Sequence, residues 1–171
     1  MSLQKLIKRH NVSEDIKSIY ESLLKECLEQ RELLSVESMR LDNNFKVNSK
    51  HTNFLYDLFY QLSNNNLNKF YLKDLNFNLW CYITDKNFNK TNWHNHSNTT
   101  TINCVLYLKT QNKGIFFKNK DEELYILPND GDMLIFPSFL DHLPEASTTE
   151  QRITLNLELR CVESAKEIFK I

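Results

Sequence analysis

The chain has 171 residues, of which 21 are basic and 22 acidic, for a net charge of -1 with 41% hydrophobic content. That length fits one domain with a sizeable core, and the charge balance excludes the strong positive field of a protein that lives on nucleic acid or an anionic membrane. No apolar run reaches the roughly 18–20 residues of a bilayer span, and the N-terminal stretch MSLQKLIKRHNVSEDIKS lacks the apolar core and cleavage site of a secretory signal. The expectation is a cytoplasmic protein with no membrane and no nucleic acid among its partners. Asparagine is abundant at 21 residues, a bias that AT-rich coding produces. Glycine occurs only twice, so Gly114 and Gly131 are expected where other residues adopt the backbone poorly. Cys27, Cys81, Cys104 and Cys161 show no C-x-x-C spacing and read as reduced thiols, Cys81 and Cys104 as small hydrophobes in strands.

In chain order, the basic cluster Lys5-Leu6-Ile7-Lys8-Arg9 reads as a solvated helix face. From Ser13 to about Leu34 apolar residues recur three and four apart, predicting a helix capped by Ser13 with Glu14 and Asp15 in its first turn. A second helix is predicted from Lys50 to Leu62, broken by Ser63-Asn64-Asn65-Asn66. Packing is the role of both. From Phe70 the texture becomes β-rich, with strands near Asn76–Thr84, Thr100–Lys109, Gly114–Lys118, Glu123–Leu127, Asp132–Phe136 and Arg152–Leu159. Turns separate them at Asp85–Asn92, Gln111–Lys113, Pro128–Gly131 and Glu145–Glu150. Short, evenly spaced strands predict a sandwich or barrel with helices packed outside it. The whole chain, 1–171, is read as one domain: helical support over 1–70, a β core over 71–160 and a C-terminal tail over 161–171.

Chemistry concentrates in the β half. His94-Asn95-His96 places two imidazoles on one side of an extended segment. His142 follows 46 residues after His96, just past the apolar run Met133–Phe136, where a strand leaves the core and turns at its rim. Two neighbouring imidazoles and a third from a distant strand suit a facial metal site with open positions. Ten residues on, Arg152 and Thr154 share one face of a strand, while Ile153, Leu155 and Leu157 share the other. An arginine beside a hydroxyl can grip a carboxylate bidentately. The alternative is an arginine paired at a sheet edge with Glu150 or Glu158.

In this order, H-x-H, Val105–Leu108, Lys113–Phe117, Pro128–Ser138, His142 and Arg152-Ile153-Thr154 resemble the Fe(II)/2-oxoglutarate-dependent oxygenases, closest to a small group found in marine bacteria and their phages. The resemblance covers about residues 77–159, a little under half the chain. It implies an α+β chain, mainly β with N-terminal helices, built on a double-stranded β-helix, the jelly roll shared with cupins. It also implies Fe(II), 2-oxoglutarate and O2, with a C–H bond oxidised as 2-oxoglutarate is decarboxylated to succinate. Carried over by position, His94 and His142 resemble iron ligands, and Arg152 with Thr154 resembles the clamp on the far carboxylate of 2-oxoglutarate. Tyr107 or Asn103 is placed to add a hydrogen bond to it. The departure is His96, where most of the superfamily has Asp or Glu. Either His96 is the third ligand, or it stands outside and a carboxylate such as Asp141 approaches the metal.

Two other readings stay open. A cupin-like metal protein would also use three histidines, although Ser97–Thr101 lacks the usual cupin Glu and Arg152 would have no role. A jelly roll that serves as a non-catalytic binding or structural module is the other. The expected partner is a small-molecule or peptide substrate. The loops Asp85–Trp93 and Phe139–Thr149 are expected at the mouth, with Trp93 lining the pocket or simply packed. The N-terminal helices could cover the sheet or mediate a homodimer.

Overall fold

Side chains alternate along a strand, so a strand that is apolar on one face and mixed on the other must sit between two unlike neighbours. The computed structural model of the chain describes residues 2–38, 44–75 and 78–171. The elements follow in order: α1 (Leu3–Leu6), β1 (Lys8–Asn11), α2 (Ser13–Ile16), α3 (Tyr20–Ser38), β2 (Asn44–Val47), α4 (Thr52–Asn66), β3 (Leu79–Thr84), β4 (Ile102–Lys109), β5 (Ile115–Lys118), β6 (Glu123–Ile126), β7 (Asp132–Pro137), β8 (Asp141–Pro144), β9 (Arg152–Leu159) and α5 (Ala165–Phe169). A major sheet runs β1-β7-β4-β9-β3-β2 and a minor sheet β6-β5-β8, each strand antiparallel to its neighbours. The two form an open sandwich.

One face of the major sheet carries Leu79, Cys81 and Ile83 of β3, Cys104 and Leu106 of β4, Ile135 of β7 and Ile153, Leu155 and Leu157 of β9. These pack in one buried cluster with Leu23 and Cys27 of α3, Leu55, Tyr56 and Phe59 of α4, and Ile168 and Phe169 of α5. The opposite face offers Val105, Tyr107, Leu134 and Phe136, which meet Ile115 and Phe117 of the minor sheet in a second cluster. The two sheets thus face one another across this second cluster.

The structure departs from the sequence expectations where long-range pairing overrides local pattern. Helix 13–34 is two pieces: α2 ends at Ile16 and α3 begins at Tyr20 and continues to Ser38. Ser13 is not a cap; its Oγ donates to the Asp130 carbonyl across the fold. The residues expected to break the second helix are inside it, because Ser63 is buried and its carbonyl accepts from Leu67 N, which is where the helix stops. Lys8 and Arg9 belong to β1, not to a helix face, and Arg9 is held by the buried Asp132. The strand expected from Asn76 is described from Leu79, residues 76 and 77 lying outside the described residues. β1, β2 and β8 were not expected, and the C-terminal tail carries α5 with its own capping box at Ser164.

The two glycines answer to different demands. Gly131 has φ of 84°, the left-handed region. Gly114 has no such angle; a Cβ there would lie 2.3 Å from the Ile126 carbonyl oxygen and 2.6 Å from the Tyr125 ring. Gln111 and Asn112 take positive φ without being glycine. Among the described residues, no helix is long and apolar enough to cross a membrane.

Candidate metal centre and its cavity

Between the open ends of the two sheets lies a cavity of about 300 Å³. Its wall is the inner face of β9, where the alternation that buries Ile153, Leu155 and Leu157 turns Arg152, Thr154, Asn156 and Glu158 inward. Burial falls along that row. Arg152 and Thr154 are 1% and 2% exposed, whereas Asn156 and Glu158 are half-buried, so the arginine marks the closed end and the glutamate the open one.

The three histidines meet midway. His94 does not sit in a long strand; it extends β8 by one antiparallel bridge, with His94 N donating to His142 O at 3.0 Å and His142 N to His94 O at 2.9 Å. His96 N donates to Ser138 O at 2.8 Å, and a turn over 97–99 follows. The ring centroids of His94 and His142 are 4.2 Å apart, and His96 lies 5.2 and 5.3 Å from the two. One ligand nitrogen of each lies within 4.8 Å of the others.

Each Nδ1 faces an acceptor. His94 Nδ1 donates to Asn92 O (2.9 Å) and His142 Nδ1 to Leu140 O (3.0 Å), while His96 Nδ1 makes an ion-pair contact with Glu158 Oε1 at 3.0 Å. A carbonyl can only accept, so the His94 and His142 rings are protonated at Nδ1 and keep the Nε2 lone pair free. This is the tautomer metal-binding histidines need, oriented by hydrogen bonds behind the ring. Burial, reinforced by the neighbouring His94, pushes His142 down to about 3, and burial lowers His94 as well. Neutral imidazoles do not have to shed a proton to bind a cation. Phe136 and Phe117 pack at 5.1 and 6.1 Å from the His142 ring and supply that burial.

The closed end carries the opposite chemistry. Arg152 donates one bond, Nη2 to the Gly114 carbonyl at 3.3 Å, while Nε and Nη1 are buried without a partner. Its guanidinium carbon lies 5.4 Å from the centre of the Tyr107 ring, and the Tyr107 hydroxyl is likewise buried and unpartnered. Burial pulls the guanidinium below its ordinary value and pushes the phenol well above its own. A buried cation with free donors is costly unless an anion completes it. Neither Glu150 nor Glu158 does so; Glu158 is engaged by His96.

Of the residues singled out by sequence, His94, His96, His142, Arg152, Thr154 and Tyr107 line this one cavity. Asn103 and Trp93 do not. Asn103 is buried beside it with its carboxamide unpartnered, and the Trp93 ring lies under Lys118 Nζ at 4.1 Å on the minor sheet. Asp141 is outside the histidine cluster, accepting from Asn95 Nδ2 at 2.7 Å. Of the two expected mouth loops, Phe139–Thr149 contributes Pro144 beside His142, whereas Asp85–Trp93 contributes no lining residue and is tied to α3 through Arg31–Asp85. Sequence reasoning missed Trp80, Asn156 and Glu158. The period-2 row that gave Arg152 and Thr154 one face, carried four residues further, would have found the last two.

No protein-family model and no curated protein matches the sequence. Solved structures do match. A Pseudomonas putida prolyl-4-hydroxylase superposes with a TM-score of 0.67 at 16% identity, over 91% of this chain and 92% of its own. A Trichoplax adhaerens prolyl hydroxylase, solved with a hypoxia-inducible-factor oxygen-degradation-domain peptide, gives 0.65 at 12% identity, over 91% and 84%. The viral collagen prolyl hydroxylase of Paramecium bursaria Chlorella virus-1, solved with 2-oxoglutarate, gives 0.58 at 10% identity, over 92% and 97%. The chain therefore has the jelly-roll fold of these enzymes, with an open two-sheet core.

Proposed function

We propose that this chain is an Fe(II)- and 2-oxoglutarate-dependent oxygenase. One observation carries the reading: three clustered imidazoles, two of them with Nδ1 committed to a carbonyl, and a buried guanidinium with free donors face the same closed-ended cavity. The donor set fits the metal. Three imidazole nitrogens within 4.8 Å of one another are a side-chain adjustment away from a common ion, and they leave positions open for exogenous ligands. In this reading His94, His96 and His142 hold iron. Arg152 holds the far carboxylate of 2-oxoglutarate, with the Thr154 hydroxyl and the Tyr107 phenol completing it. Bound iron, with 2-oxoglutarate and O2, supplies the oxidation of a C–H bond coupled to release of succinate and CO2.

The protein's own contribution is placement. Val105, Ile115 and the Tyr107 ring line the deep half of the cavity and exclude water there. The arginine fixes the cosubstrate at one end so that its other end reaches the histidines. Trp80, Asn44 and Asn156 lie at the open side, where a small molecule or a peptide side chain would enter. Cupin-like chemistry would leave the buried guanidinium of Arg152 without a purpose, and a purely structural jelly roll would have no use for three clustered imidazoles.

The test is anaerobic titration of purified protein with Fe(II) and then 2-oxoglutarate, following the weak visible charge-transfer band of the chelate. The band is expected in wild type, absent in His142→Ala, and in Arg152→Ala to require far more 2-oxoglutarate. No band and no retained metal in wild type would overturn the reading.

A further inference from the structure

The three histidines are not equivalent. His94 and His142 each donate Nδ1 to a neutral backbone carbonyl two residues earlier, at Asn92 and Leu140. His96 instead sets its Nδ1 3.0 Å from a carboxylate oxygen, Glu158 Oε1, in an ion-pair contact. His96 is also where sequence comparison with the oxygenases expected an acid. A carboxylate is therefore still present, but it stands beside the ring at the open end of the cavity instead of at position 96.

Glu158 is held in place for this. It lies on β9 opposite Asn103 of β4, and its backbone N–H donates to the Tyr56 hydroxyl at 3.3 Å, which itself donates to the Asn78 carbonyl at 2.6 Å. The cations nearby are committed elsewhere or exposed: Arg160 binds the Thr99 carbonyl at 2.7 Å and Asp74 at 3.5 Å, and Lys46 lies at the surface of the adjoining cleft. Glu158 and His96 are 25% and 30% exposed, so the pair is partly shielded from water yet reachable from the mouth.

Resting on the iron-site reading above, we propose that Glu158 is a positioning residue for His96, fixing its ring with Nε2 toward the metal and supplying from beside it the negative charge that a carboxylate ligand would have supplied directly. A carboxylate hydrogen-bonded to a ligating imidazole raises the basicity of its other nitrogen and fixes its tautomer. The centre would then keep three neutral ligands in contact and one anionic partner at the rim.

The experiment compares wild type, Glu158→Gln, Glu158→Ala, His96→Asp and the double variant His96→Asp/Glu158→Gln. Zn(II) affinity is measured by competition titration of metal-free protein, and the His96 tautomer by nitrogen-15 NMR before metal is added. Gln keeps an acceptor for Nδ1–H and loses the charge, so a weakening of about tenfold is expected; Ala loses both, and about a hundredfold is expected. In the double variant the loss on Glu158→Gln is expected to vanish, because aspartate at 96 carries the charge itself. His96 is expected as the Nδ1–H form in wild type and Glu158→Gln, and as a mixture in Glu158→Ala. Unchanged Zn(II) affinity in both Glu158 variants would overturn the inference, as would an equal loss with His96 or Asp at 96. If wild type binds no Zn(II) or Fe(II) at all, the oxygenase reading fails with it. If wild type binds metal and only the Glu158 effects are missing, this inference alone fails. Should Glu158→Ala not fold, Glu158→Gln, which keeps the shape and an acceptor oxygen, carries the test.

Discussion

The two faces of the central strands differ by a single step in register and by nearly everything else. Leu106 and Leu155 point to the helices and are fully buried among aliphatic neighbours. Even the thiols of Cys81 and Cys104 on that side are held far above their ordinary range by burial, which leaves them inert. One residue away, Tyr107, Thr154 and Arg152 point to the cavity, and Tyr107 and Arg152 bring with them buried donors that the protein does not satisfy. Local rules are obeyed on one face and broken on the other, and the broken face is where the chemistry lies. Stability and function should therefore separate by the parity of residue number along β9.

The sharpest way to break that comparison is a pair of substitutions three positions apart. Leu155→Ala opens a cavity in the helix-facing core and should cost about 2–5 kcal/mol, read as a drop in denaturation midpoint. Affinity for 2-oxoglutarate in the protein that remains folded should be unchanged. Arg152→Met should do the reverse. Removing an unpaired buried cation should leave the ligand-free melting temperature equal or higher, while the stabilisation that metal and 2-oxoglutarate confer on wild type disappears. A large loss of ligand-free stability in Arg152→Met would mean that the guanidinium is a structural tie to Gly114 and not a ligand clamp.

A smaller effect follows from the histidines. His142 sits at about 3 when folded against 6.5 when free, and His94 is shifted the same way. Between those values the unfolded chain binds more protons than the folded one, so ligand-free stability falls as pH drops below about 6.5 and continues to fall toward 3. Each histidine adds at most about 1.4 kcal/mol per pH unit to that slope. Saturating Zn(II) should protect against it at mildly acidic pH, and His142→Phe should flatten the curve. A stability profile of wild type that is level from pH 7 to 4 would contradict the burial of His142 against Phe136 and Phe117.

Much of the cavity face was legible because its signals are short-range. A strand alternates whatever its partners, so Arg152 and Thr154 could be placed together, and a strand end after Met133–Phe136 put His142 at a rim. What stayed hidden depends on distant partners. β1 has the sequence Lys8-Arg9-His10-Asn11 and becomes a strand because β7 offers an edge and Asp132 a counter-ion. Ser63 to Asn66 continue α4 because Ser63 is buried, which local propensity cannot anticipate. Trp80 lies within β3 and Trp93 just ahead of His94, and it is the pairing of Trp80 with Asn156 of β9 that places the first at the cavity. The role of Glu158 needed both the alternation of β9 and the position of His96, two facts 62 residues apart in sequence.

The smallest expected effect is the finest probe of the division between faces. Thr154 is 2% exposed and lies in register with Tyr82 on one side and Tyr107 on the other, so its surroundings are shaped by three strands. Thr154→Val keeps the shape and the β-branched preference for a strand and removes only the hydroxyl. If that hydroxyl serves the cosubstrate, the loss is one hydrogen bond, about 1 kcal/mol, or roughly fivefold in 2-oxoglutarate affinity. Ligand-free stability and Zn(II) affinity should not move, because neither the helix-facing core nor the histidines are touched. Titration of the visible band against 2-oxoglutarate reads the difference directly. A variant that binds 2-oxoglutarate as wild type does would restrict the clamp to Arg152 and Tyr107, and a variant that loses stability instead would place Thr154 with the core residues that flank it.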